Sequence, residues 1–247
     1  MSDPERYLID RPNQPPPDGT KCVGDLLPLV GDSQRVLFCG QKKLAGTEPP
    51  LLRVSSMGGY VNHGLPKLVP WPDILERPTP KRRSFAYRSL SSLGEPTVEF
   101  NGNPKWTSDL YQLGSSVFLV SDKLLSLLTE SSSDALEVIR PRIVGERAGK
   151  IGTYWIVMPT HVLDAVDVSK SCILIRRPEI VPGSRKFVTH VNYIKGFVFR
   201  EDIPSHVSNF VDEFTSDWFW HLDLIRRVRG AGVRGLHFGF WQVDLAS

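Results

Sequence analysis

Tyr154-Trp155-Ile156-Val157-Met158, closed by Pro159, is apolar at every position. Such a run has no polar side to offer water, so it reads as a strand covered on both faces, and the rest of the chain must supply the two covering layers. Just beyond it Asp164 and Asp167 stand three apart among Leu163, Val166 and Val168, with Ser169 and Ser171 behind. Carboxylates in an apolar setting need hydrogen-bond donors, and a loop leaving a central strand offers backbone amides. The aspartates are therefore read as structural, an Asx-turn and cap framework that fixes how the chain leaves the sheet. The competing reading is acid/base or metal chemistry on the Asp pair, with His161 three residues before Asp164.

Composition narrows the class. The 247 residues are 40% hydrophobic and 23% charged, the balance of an ordinary globular protein. A formal net charge of +3, spread along the chain, points away from nucleic acid as a partner. Cys22, Cys39 and Cys172 are odd in number and far apart, which matches neither a disulfide framework nor metal-ligand spacing, so a reducing, cytoplasmic home is expected. Met1 to Asp10 lacks the apolar core of a secretory signal, and no stretch is apolar for the eighteen or so residues of a membrane span.

The order of elements predicts an α+β fold: a mixed, largely antiparallel sheet packed by a few helices, with a β-rich N-terminal lobe. A proline-rich arm over residues 1–18 favours extended polyproline conformation over helix or sheet. The β-rich lobe spans 19–103, with short strands expected at Leu26 to Val30, Val36 to Cys39 and Leu51 to Val54 between turns. Gly58-Gly59 reads as a turn, and the cluster Lys81, Arg82 and Arg83 as a solvated proline-rich connection. The turn Asn101-Gly102-Asn103-Pro104 marks the boundary to an α+β lobe over 104–247. There Ser121 caps a helix with Leu124, Leu125 and Leu128 on its apolar side. Leu136, Val138 and Ile139, then Ile143, suggest another strand, and further strands are expected at Cys172 to Ile175 and at Phe187 to Val191.

Val207, Phe210, Val211, Phe214, Trp218, Leu222 and Ile225 recur at three- and four-residue intervals, predicting an amphipathic helix divided near Thr215-Ser216-Asp217. On that wheel Trp220 points away from the core among Glu213, Ser216, Asp223 and Arg227, which makes Trp220, Glu213, Asp223 and Arg227 the candidate binding surface; the alternative is that the N-terminal arm covers Trp220, or that a break at Thr215 to Asp217 rotates it into the core. Gly230 to Gly235 matches GxGxxG, but a charged helix precedes it and Leu236 to Trp241 reads as a strand, the reverse of a dinucleotide site. Gly230 is read as the helix C-cap. No GxSxG elbow or HExxH is present, and no cofactor or metal is expected.

Four segments carry a family resemblance. They are Phe118-Leu119-Val120-Ser121-Asp122-Lys123-Leu124-Leu125, the Tyr154 strand with Leu163-Asp164-Ala165-Val166-Asp167, Val198-Phe199-Arg200, and Gly232-Val233-Arg234-Gly235-Leu236-His237-Phe238. Over about residues 104 to 240 the chain resembles the immunity proteins of bacterial polymorphic toxin systems, in the large family first catalogued as a domain of unknown function in myxobacteria. The resemblance implies a non-enzymatic cytoplasmic antidote that binds one cognate toxin, delivered by a neighbouring cell through contact-dependent or type VI secretion. It carries over no catalytic signature. A small hydrolase or transferase using Asp164 and Asp167 with His161 is the alternative.

Overall fold

The computed structural model describes residues 11–31, 34–40, 51–56, 67–69, 89–100, 107–114, 117–131, 135–146, 148–176, 190–194, 197–204, 207–215 and 217–239. The readings made for Gly58-Gly59, for Lys81 to Arg83 and for the Asn101 to Pro104 turn lie outside the described residues. The fold is α+β and dominated by strands.

The apolar run forms β10 (Tyr154–Pro159), an inner strand of a sheet in the order β6 (Leu110–Gly114), β7 (Val117–Ser121), β10, β8 (Leu136–Ile139), antiparallel throughout. Alternation sends Val157 with Phe118 and Val120 to one side, and Tyr154, Ile156 and Met158 with Leu119 to the other, each into its own core cluster. This two-sided burial is why the sequence shows no polar alternation.

A second sheet runs β11 (Val162–Leu163), β14 (Asn209–Asp212), β15 (Trp218–His221), β3 (Leu51–Ser56), β16 (Leu236–Gly239). A third joins β1 (Arg11–Gln14), β2 (Arg35–Cys39), β12 (Cys172–Arg176) and β13 (His190–Ile194), and a fourth joins β4 (Lys67–Val69), β5 (Thr97–Glu99) and β9 (Arg142–Val144). The described strand pairs are antiparallel apart from β1–β2, β11–β14 and β5–β9. Strands from the first hundred residues pair with strands from beyond residue 140 in three of the sheets.

Two helices, α2 (Asp122–Ser131) and α3 (Leu222–Gly230), lie against the core between the first two sheets, burying Leu124 and Leu128 from one and Leu224, Ile225 and Val228 from the other. Lys123 of α2 reaches the carbonyl of Gly232, beyond the end of α3, while Glu130 faces Arg227. The helices therefore run antiparallel.

Several expectations are corrected. Val207 to Ile225 is not one helix but the hairpin β14–β15 followed by α3. Phe210 and Phe219 enter one core cluster, and Val211, Trp218 and Trp220 enter another. A hairpin buried on both faces has apolar residues nearly everywhere, so a three-and-four spacing can be picked out of it by coincidence. Its turn is set by Asp212, whose Oδ2 accepts the Phe214 and Thr215 amides at 3.1 and 2.8 Å. Leu26 to Val30 is not a strand. Helix α1 (Val23–Leu26) runs into a 3-10 turn (Leu27–Leu29), burying Leu26, Leu27 and Val30 on one side while Leu29 stays exposed.

Part of the proline-rich arm joins the third sheet, because Arg11–Gln14 pairs with β2. Cys39 and Cys172, read as unrelated, sit directly opposite in the β2–β12 register and are joined by a disulfide across 133 residues of sequence. The left-handed residue after α3 is Gly232 (φ 69°), not Gly230, and Ala231 is the C-cap.

Candidate functional site

The aspartates after β10 are held by different partners. Val23 N–H and Gly24 N–H, at the start of α1, donate to Oδ1 and Oδ2 of Asp164 at 3.1 and 2.7 Å. Asp167 caps its own 3-10 turn (Val168–Lys170), with Oδ1 accepting from the Ser169 amide and hydroxyl at 3.0 and 2.6 Å, and Lys170 Nζ lies 3.2 Å from Oδ2. One carboxylate thus ties in a segment more than a hundred residues away, and the other closes a local turn.

His161 Nδ1 is buried without a hydrogen-bond partner among the described residues, so it does not orient on either carboxylate. Cys22, beside Asp164, has its thiol pushed up to about 12 by burial and by the neighbouring carboxylate, which keeps it protonated. A nucleophile needs the opposite shift. Among the described residues no three His, Cys, Asp or Glu side chains are grouped to hold a metal ion, and no helix is long and apolar enough to cross a membrane.

The residues expected to form a binding surface are scattered. Trp220 is fully buried on β15, beside Trp218 and Phe238, and its placement on an exposed helix is corrected. Glu213 lies in the β14–β15 turn, at the opposite end of the hairpin from α3, and its amide donates to the Leu163 carbonyl. Asp223 and Arg227 do face solvent on α3. There Asp223 pairs with Arg226 at 3.0 Å, and Arg227 lies 3.9 Å from Glu130 of α2.

A cluster the sequence reading missed lies at the β8 edge of the central sheet. Trp155 packs partly into the core, and its Nε1 donates to Asp122 Oδ1 at the start of α2, 2.8 Å away. The Arg140 guanidinium sits over its ring, 5.7 Å from the centroid. Val138, across from Val157, is 39% exposed, and apart from Leu29 it is the only large apolar side chain so exposed among the described residues. The available signal was register: Ile139 opposite Ile156 brings Arg140 alongside Trp155, with Val138 diagonal to it on the same face.

A family model described as an immunity protein family (Imm11) matches residues 67–242, well over half of the chain. The chain belongs to that immunity family. No curated protein matches it. Membership implies a toxin of protein kind as partner.

In this Imm11 chain the segments that carried the resemblance are joints of the fold. Ser121 Oγ caps α2 by accepting the Leu124 amide at 3.2 Å, and donates to Asp109 Oδ1. The other oxygen of Asp109 accepts the Arg234 amide at 2.6 Å, so the start of α2 is bound to the segment after α3. That segment leaves its helix by a Schellman turn, in which Val233 N–H donates to Val228 O and Gly232 N–H to Arg229 O. Gly235 (φ 77°) then passes so close to Ser108 that an added Cβ would lie 1.9 Å from its Oγ. In the third segment Val198 O accepts the Asp167 amide, and Arg200 donates to the carbonyls of Ala165 and Asp164. The immunity family's short motifs here hold strands and helices in place.

Proposed function

We propose that this member of the immunity family is a non-enzymatic antidote. It binds and neutralises one cognate secreted toxin, delivered from a neighbouring cell by contact-dependent or type VI secretion. The observation that carries the reading is the family match across residues 67–242, which runs from β4 to just past β16 and includes both long helices. The amides bound by Asp164 and Asp167 support it, because each carboxylate is already engaged by its own partners as a structural acceptor. A net charge of +3 favours a partner other than the basic cleft of a nuclease, which an acidic inhibitor would fill.

The test is co-expression with the toxin domain encoded beside this gene. Cells producing that domain should grow only when the chain is present, and the two purified proteins should form a stable complex. Growth arrest that persists despite folded chain would overturn the reading.

A further inference from the structure

The cluster at the β8 edge has the composition of an interaction hot spot. Its parts come from different elements: Val138 from β8, Arg140 from the residue after it, Trp155 from β10 and Asp122 from the first turn of α2. Trp and Arg are the residue types that most often dominate binding energy, and they do so where the partner can exclude water around them. Here both are held before any partner arrives. The Asp122 hydrogen bond sets the edge of the Trp155 indole, and the indole gives the Arg140 guanidinium a plane to lie on. The indole therefore has little side-chain freedom left to lose on docking.

The polar balance indicates what would dock. Asp122 accepts the indole N–H through Oδ1, whereas among the described residues no carboxylate pairs with Arg140. A guanidinium lying on an aromatic ring still presents its edge, and that edge matches the two oxygens of a carboxylate. Beside it, Val138 and the exposed part of Trp155 form an apolar step that gains from losing contact with water.

We propose that Val138, Arg140 and Trp155 form the docking hot spot of this chain, and that it takes a surface segment of the cognate toxin presenting a carboxylate beside an apolar side chain. This rests on the antidote reading above. It is distinct from the solvent face of α3, where Arg226 and Arg227 already meet carboxylates of the chain itself.

The experiment uses the full chain and a catalytically inactivated toxin domain, the one encoded beside the gene. Binding is measured by calorimetry at two salt concentrations for the parent, Arg140→Glu, Val138→Asp and Trp155→Phe. The two exposed positions should accept their substitutions without unfolding, and Trp155→Phe keeps an apolar ring while removing the indole N–H. Arg140→Glu and Val138→Asp should each weaken binding at least tenfold while melting like the parent. Added salt should weaken the parent complex more than the Arg140→Glu complex, a difference that a purely structural arginine would not produce.

A parent chain that does not bind the toxin defeats the antidote reading itself. A parent that binds, with all three variants binding as tightly, overturns the hot spot alone. Two further results also overturn it. One is a parent dimer that Val138→Asp dissolves without loss of toxin affinity, which makes the edge a self-contact. The other is capture of duplex DNA that Arg140→Glu abolishes.

Discussion

Asp164 is the residue on which the account of the aspartates can be tested most sharply. Its two oxygens accept the Val23 and Gly24 amides at 3.1 and 2.7 Å, so a loop after the central strand fixes the start of α1. Asp164→Asn keeps one acceptor and turns the other oxygen into an NH₂ group facing an N–H donor. Hydrogen bonds to charged groups contribute about 1.5–3 kcal/mol each, and the site is only half-buried, so the loss should be about 2 kcal/mol. For a chain of this size that is roughly a 4–8 °C fall in Tm.

The contact also predicts coupling. A Cβ on Gly24 would lie 3.1 Å from Asp164 Oδ2, so the effect of Gly24→Ala should differ between the parent and Asp164→Ala, which removes that oxygen, with a coupling energy of about 0.5 kcal/mol or more. Urea unfolding followed by tryptophan fluorescence gives all four corners of the cycle. Co-expression with the toxin should show protection falling only as folded protein is lost. Additive effects of the two substitutions would refute the contact, and loss of protection in a variant that melts like the parent would refute the structural role.

Gly235→Ala should destabilise by about 2 kcal/mol or more, since it combines a positive φ with a Cβ 1.9 Å from Ser108 Oγ; an unchanged urea midpoint would contradict the close approach. Breaking the Cys39–Cys172 disulfide frees a 133-residue separation and should lower stability by about 2–4 kcal/mol. A reductant should then lower the Tm of the parent but not that of Cys39→Ser, and equal effects on both would argue against the link. Cys22 titrates at about 12 in the folded chain against 9.0 unperturbed, so its contribution is whole below pH 9 and is lost as pH rises towards 12. Cys22→Ser, which does not titrate there, should show a shallower decline across that window, and parallel curves would rule the contribution out.

Much of the local structure was legible because it rests on short-range rules. Tyr154 to Met158 announced a doubly covered strand through an unbroken apolar run, and Ser121 announced a helix start through its hydroxyl and the leucines behind it. The same rules misled where two patterns overlap. Val207 to Ile225 has helical spacing and is mostly a hairpin, because burial on both faces removes the alternation that would have identified the strands. Trp220 was displaced with it, from an exposed helix face to the middle of the core. The Gly230 to Gly235 stretch was rightly separated from a dinucleotide loop, yet which glycine is left-handed depends on where α3 runs out of partners for its carbonyls.

The sequence by itself determined the fold class, the places where strands and helices must bury apolar surface, the need of Asp164 and Asp167 for donors, and, through short joint-forming motifs, the family. Those properties depend on residues within a turn or two of each other, where period and side-chain chemistry are decisive. Only the tertiary structure decided which amides Asp164 would find, that Cys39 would face Cys172, and that Val138, Arg140, Trp155 and Asp122 would meet at one sheet edge. Each of those depends on strand order and register, which are set by the joint packing of three core clusters rather than by any one segment.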